Sequence, residues 1–246
     1  MCTVFYLADL ALLSKNRDKE IPEAEEIVRN EDILAVRSVG ADYYSLGLNR
    51  RGCAFVSTAV NNPAWTAAVE AGRKDEARTL WERDTAGRTS PMRLVSESLP
   101  RVESAEEWIQ LLQTTDALWR GYNVVLADTT GAWVVETYGR EARPRRLASR
   151  DAITNHFHEL SFGPRETADY PGSYARLDYA REKLATIASP ADLLAAIRPD
   201  NQTDRERIWR TGAFSTQSST VLDLAGQRLF YTTRLDQTHE CVRLVD

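Results

Sequence analysis

Cys2 stands one residue from the start of the 246-residue chain, and that position offers its thiol a chemistry closed to Cys53 and Cys241. An initiator methionine followed by a small residue is commonly removed, and a chain beginning at Cys2 carries a nucleophile and a base in one residue. An α-amine has a reference pKa of about 7.7–8.0, so near neutral pH part of it is free to take the proton of its own thiol. Such a site needs hydrogen-bond donors for a tetrahedral oxyanion, a group that holds the amine, and a frame that fixes the chain end. Polar residues of suitable type occur in Lys15-Asn16-Arg17-Asp18, in Asn61-Asn62-Pro63 and in Ile153-Thr154-Asn155-His156. Each also has an ordinary reading: Asp18 suits a turn cap, the Asn-Asn-Pro run suits a turn, and an arginine such as Arg176 suits a helix surface.

The histidines His156, His158 and His239 allow a competing reading, a Cys–His pair or a metal site. No papain-type signature surrounds Cys53 or Cys241, which fall in or near strands where a small buried hydrophobe is expected. His-x-His also follows from alternation along a strand. With no Gly-rich phosphate loop, no nucleotide cofactor is implied, and the expectation is an enzyme with neither cofactor nor metal.

The frame for such a site is that of an ordinary globular chain, 43% hydrophobic and 27% charged, long enough to bury a large core without disulfide or metal staples. Three cysteines without C-x-x-C spacing imply a reducing compartment rather than a disulfide framework. Thirty-one Lys and Arg against 36 Asp and Glu, a net charge of −5, with no basic stripe, argue against nucleic acid as partner. The apolar stretch from Thr3 to Leu13 is interrupted by Asp9, lacks a basic flank before it, and is far shorter than a membrane span. The reading is cytoplasmic, with a small-molecule substrate, no membrane partner, and homo-oligomerisation left open.

Periodicity places strands at Thr3–Leu7 and Leu10–Ser14. A hairpin joins Tyr43–Leu48 to Cys53–Thr58 through Asn49-Arg50-Arg51-Gly52, a second runs from Tyr122 to Thr137 about Thr129-Thr130-Gly131, and a third joins Thr220–Leu224 to Arg228–Thr233. Helices are expected over Ala64–Arg83, Ser90–Leu99, Ser104–Thr114, Ser173–Ala188 and Pro190–Ile197, with Ser104 and Glu107 at capping-box spacing. The Arg-rich run Arg140–Arg150 reads as a solvated strand edge. Hairpins at start, middle and end, with helices grouped between them, predict an α+β arrangement of antiparallel sheets covered by helices. Without repeats or linkers, residues 1–246 read as one domain.

Met1-Cys2-Thr3 followed by a strand and Lys15-Asn16-Arg17-Asp18 resembles the N-terminal-nucleophile (Ntn) hydrolases that act on linear amides. These include the penicillin V acylase/bile salt hydrolase group, the acyl-coenzyme A:6-aminopenicillanate acyltransferase-like group and the dipeptidase/secernin group, whose Lys-Asn-x-Asp pattern is close. The resemblance continues through Gly47–Gly52, Val60-Asn61-Asn62-Pro63, the Tyr122–Glu136 hairpin, Ile153–Phe157 and Ser173-Tyr174-Ala175-Arg176-Leu177, in the family's order. It implies a four-layer αββα sandwich of two antiparallel sheets flanked by helices, activated by removal of Met1 alone. It further implies Cys2 as nucleophile, its α-amine as base and Asp18 holding that amine. Lys15 is the implied cation near the thiol, with Arg17 as the alternative. Asn155 and Asn61 are the implied oxyanion donors, Arg176 a supporting arginine, and Trp65 and Tyr170 walls of an acyl pocket. The implied activity is a cysteine amidohydrolase or acyltransferase working through an acyl-enzyme. The alternative is a non-catalytic member resembling the Asn-Arg-Asp-Glu proteins, or a binding protein in which Cys2 is incidental; Lys19 stands where that motif has its Glu.

Overall fold

The computed structural model describes residues 1–162, 171–198, 208–233 and 240–244; Tyr170 and His239 lie outside them. Strand β1 (Cys2–Leu7) turns through a single 3₁₀ turn at Ala8–Leu10 into β2 (Leu12–Lys19). Next come β3 (Glu25–Arg29), β4 (Ile33–Ser38), β5 (Leu46–Asn49) and β6 (Ala54–Ala59), then four helices: α1 (Pro63–Glu70), α2 (Lys74–Thr85), α3 (Pro91–Ser98) and α4 (Ala105–Thr114). Strands β7 (Trp119–Asp128), β8 (Gly131–Gly139), β9 (Glu141–Arg146) and β10 (Arg150–Ile153) precede α5 (Pro171–Leu184) and α6 (Pro190–Ile197). The chain closes with β11 (Ser215–Asp223), β12 (Arg228–Thr233) and β13 (Glu240–Arg243).

Two antiparallel sheets result, one ordered β10-β1-β2-β11-β12-β13 and the other running in sequence from β3 to β9. Alternation along β1 sends Val4 and Tyr6 into the space between the sheets, where with Leu13 they meet Leu34, Val56, Val125 and Val134. Phe5 and Leu7 point the other way, under Leu177 of α5 and Leu193 and Ile197 of α6. On the far side of the second sheet, Phe55, Val124 and Leu126 lie beneath Met92 and Val95 of α3 and Trp108 of α4. The layers are helix, sheet, sheet, helix, the expected αββα sandwich. Because β1 and β2 are covered on both faces, each residue from Leu12 to Asp18 is buried, including five polar residues in a row. Burying polar groups is costly unless they are partnered, so this strand is where the sheet departs from a purely apolar design.

Several elements differ from the sequence reading. The expected helix over Ala64–Arg83 is two helices, broken where Gly72 takes φ +71°. The partner of β1 begins at Leu12 and runs on to Lys19 instead of ending at Ser14. Strands β3, β10 and β13 have four or five residues each, several of them charged, too short to show a period. Ser90 and Ser104 do cap α3 and α4, while the Glu107 carboxylate accepts from the backbone of Glu103, one residue before the expected capping-box donor. The Arg-rich segment supplies β9 at the sheet edge. Among the described residues no helix is long and apolar enough to cross a membrane.

Candidate active site

Cys2 pairs with Arg17 across the β1–β2 ladder, and Val4 pairs with Lys15. Directly opposed residues project to the same face, so the thiol, the Lys15 ammonium and the Arg17 guanidinium enter the gap between the sheets. A cavity of about 360 Å³ opens there, lined by Cys2, Lys15, Asp18, Asn61, Trp65 and Asn155 among others. The fold thus gathers residues that lie up to 153 positions apart, and leaves Cys2 only 7% exposed.

The two cations differ in their partners. Arg17 is paired with Glu25, lies 3.3 Å from Glu23, and donates to Ser38 Oγ at 2.8 Å. Lys15 donates to the Ser45 carbonyl at 3.2 Å, and among the described residues it has no carboxylate partner. Burial pushes its pKa down to about 8, opposed chiefly by negative charge at Cys2. Lys15 is therefore the cation left uncommitted beside the sulfur.

Asn155, just beyond β10, joins the site to its support. Its Oδ1 accepts from the Cys2 backbone nitrogen at 2.5 Å and from Arg176 Nη2 at 2.9 Å. Its Nδ2 donates to the Ala59 carbonyl at 2.6 Å, and its own backbone nitrogen donates to Ser173 Oγ at 2.8 Å. The carbonyl end of this amide, rather than its NH₂ end, thus faces the nitrogen of Cys2. Arg176 is 1% exposed, which removes the surface-helix reading; it also donates to the Gly172 carbonyl at 2.8 Å, and burial lowers its pKa to about 10.

Asp18 is buried, accepts from Thr216 Oγ1 at 2.8 Å through Oδ1, and leaves Oδ2 without a partner. Its backbone carbonyl accepts from the Met1 amine, and its backbone N–H donates to the Met1 carbonyl, each at 2.5 Å. Burial lowers the pKa of that amine, and the Met1 thioether rests 3.7 Å from Arg176 Nη2 and 3.6 Å from Arg210 Nη1.

The remaining sequence candidates divide. Asn61 lines the cavity, whereas the Asn62 side chain accepts from Ala64 N at 3.0 Å and caps α1. Trp65 lines the cavity and packs against Trp81, the ring centroids 5.6 Å apart and the planes tilted by 45°. The ring of His156 is buried behind Asn155, with Nδ1 2.9 Å from Ser173 Oγ and 3.2 Å from Thr154 Oγ1, and it stacks on Tyr174. The contacts of this ring are thus with hydroxyl groups and an aromatic ring, while His239 lies outside the described residues. Among the described residues no three His, Cys, Asp or Glu side chains are grouped to hold a metal ion. Ser45 and Thr216, which hold Lys15 and Asp18, carried no signal in sequence because each acts through a contact made only in the fold; Ser173, which holds Asn155, stood in the Ser173–Leu177 match but without a role.

By sequence, neither family models nor curated proteins match the chain. Solved structures match it by fold. A mutant conjugated bile acid hydrolase from Clostridium perfringens superposes with a TM-score of 0.60 at 14% identity, covering 99% of this chain and 92% of that one. Penicillin V acylase from Agrobacterium tumefaciens gives 0.56 at 12% identity over 100% and 87% of the two chains. An N-acylethanolamine-hydrolyzing acid amidase ortholog from Caenorhabditis elegans gives 0.56 at 10% over 91% and 93%. The protein shares with these neighbours the αββα fold of the N-terminal-nucleophile hydrolases.

Proposed function

We propose that this protein is an N-terminal cysteine amidohydrolase that cleaves linear amides of small molecules through an acyl-enzyme on Cys2. The observation that carries the reading is the Asn155 amide, which joins the Cys2 backbone nitrogen and the buried Arg176 guanidinium at the floor of a cleft holding an uncommitted Lys15. Removal of Met1 turns that nitrogen into the α-amine. Asn155 Oδ1 is then assigned one of its hydrogens, and Asp18, whose Oδ2 has no partner among the described residues, is assigned to compensate positive charge on it.

In the proposed cycle the α-amine takes the Cys2 proton while Lys15 stabilises the thiolate. The sulfur attacks the amide carbon, and the C=O electron pair moves onto oxygen. An amide nitrogen carries two hydrogens; one of those on Asn155 is bonded to Ala59, and the second, with Asn61, is assigned to the oxyanion. Collapse breaks the C–N bond as the α-amine returns its proton to the departing amine. Water then cleaves the thioester, giving the acid and the free thiol; an amine in place of water gives acyl transfer. Trp65 is assigned to the wall of the acyl pocket, residues 1–246 to one cytoplasmic domain, and the chemistry to the chain's own side chains and α-amine without a cofactor.

A second reading rests on Met1. Both polar ends of that residue are bonded to the Asp18 backbone, an arrangement that also suits a non-catalytic chain retaining its methionine. Intact-mass measurement of the purified protein, with turnover on a panel of penicillin V, conjugated bile salts, dipeptides and β-alanyl amides, separates the two. Loss of Met1 with Cys2-dependent turnover is expected; a retained Met1 with no turnover would favour the second reading.

A further inference from the structure

Opposite Cys2, the cavity is walled by the second sheet, and one charge there is unaccounted for. Arg120 lines the same space from β7. Among the described residues its side chain makes one hydrogen bond, Nε to the Arg88 carbonyl at 3.3 Å, so both terminal nitrogens of the guanidinium are uncommitted. Its Cζ lies 5.9 Å from the Trp81 ring.

The other charges of the wall have partners or assigned roles. Arg17 is held by Glu25 and Glu23, and Lys19 is paired with Glu23 at 2.8 Å. Lys15 is assigned to the thiol, and Asp18 to the nitrogen of Cys2. Glu20, the remaining carboxylate, is exposed and makes no bond to Arg120.

The backbone carries Arg120 in a way that fixes its direction. The β7–β8 register shifts between Trp119 and Tyr122, and such bulges re-aim side chains beside active sites. Arg120 N donates to the Thr89 carbonyl at 3.0 Å, and its carbonyl accepts from Thr137 Oγ1 at 3.0 Å. Next to it, Gly121 lies so near Val60 that a Cβ would sit 2.2 Å from the Val60 carbonyl oxygen. An arginine strapped at both backbone ends, without an acidic partner among the described residues and lining the same cavity as Cys2, suits a planar anion.

We propose that Arg120 is a specificity-determining residue that binds a carboxylate of the substrate, while the tryptophan-lined groove next to it takes the apolar part. That groove, of about 650 Å³, shares Glu20, Trp65 and Trp81 with the catalytic cavity and continues along Val69 and Ala77. The substrate class is an amide bearing an apolar chain and a carboxylate. This rests on the amidohydrolase reading for its chemistry, but not for its binding, which needs only the cleft.

The test is protection of Cys2 from alkylation by neutral iodoacetamide in the Met1-processed protein, which requires no turnover. Two matched pairs are compared, N-hexanoylglycine against its glycinamide, with the charge on the amine side, and adipic acid monobutylamide against N-butylhexanamide, with the charge on the acyl side. In at least one pair the anion should protect at a concentration roughly tenfold lower than its neutral partner, and that pair locates the carboxylate. Arg120→Met should bring the ratio within twofold, and Arg120→Lys should keep part of it. Equal protection by anion and neutral partner in both pairs, or an advantage that survives in Arg120→Met, overturns the proposal. Failure of the amide panel with a normal Arg120 effect sinks the catalytic reading alone.

Discussion

Cys2 and Cys53 occupy comparable places, one opening β1 and the other just before β6, and both are buried. Cys53 sits with Phe55, Val95, Trp108 and Val124 between sheet and helices. There burial, reinforced by Asp128 and Glu107, pushes its thiol up to about 12. Cys2 instead meets Lys15 in a polar cleft, its backbone nitrogen held by Asn155. The same side chain at similar burial is a packing residue in one layer and a nucleophile candidate in the other. The backbone nitrogens do not separate them, since that of Cys53 donates to Asn49 Oδ1 as that of Cys2 does to Asn155 Oδ1; what differs is the charge that the neighbouring strands bring.

The sharpest way to break this contrast is through Asn155. Asn155→Ala removes the group that holds the Cys2 nitrogen and the assigned oxyanion donor, so turnover should fall by about 10²–10³ while Cys53 is untouched. Unchanged kcat/KM on an amide cleaved by the wild type would refute that role.

A smaller effect is expected at Lys15. Lys15→Met should slow alkylation of Cys2 at pH 7 by roughly tenfold and leave Cys53 as it was. The same change should stabilise the fold. Burial holds the Lys15 pKa near 8 against 10.5 in the unfolded chain, so the unfolded state binds the proton more tightly. Native stability therefore rises with pH between about 8 and 10.5. Removing the charge should raise stability at pH 7 by about 3 kcal/mol and abolish that rise, as read from urea midpoints at pH 7 and 10.

Gly121→Ala tests the frame shared by the cleft and the second sheet. The 2.2 Å approach of a Cβ to the Val60 carbonyl should cost about 1–3 kcal/mol and, by displacing the chain next to Asn61, lower turnover. A urea midpoint equal to that of the wild type would contradict the close approach. Least affected should be Cys53→Ala, with a loss of about 1 kcal/mol in thermal unfolding and unaltered Cys2 labelling.

The sequence discloses these two regions unequally. The turn at Asn49–Gly52 was legible because its requirement is local: Gly52 takes φ +82°, and Asn49 Oδ1 accepts from the backbone nitrogens of Arg51 and Cys53. The polar run Lys15–Asp18 was legible as a cluster, but not which of its two cavity-lining cations, Lys15 or Arg17, carboxylates hold. That choice depends on Glu25, carried by the short strand β3, and on Glu23 just before it, and β3 has no readable period. Arg176 was named through the family resemblance alone; its residue type and spacing do not tell it from a surface residue, since its contact with Asn155 spans 21 positions. Arg120 was invisible, because a register shift between two strands aims it.

The central claim, that the fold activates Cys2 and not its other thiols, is tested most directly by native-state labelling. Cys241 is exposed, Cys53 and Cys2 are buried, and limited iodoacetamide treatment of the Met1-processed protein followed by peptide mapping ranks all three. The account predicts that Cys2 is alkylated first, ahead of the exposed Cys241, with Cys53 last. Alkylation of Cys241 first, with Cys2 as slow as Cys53, would contradict it.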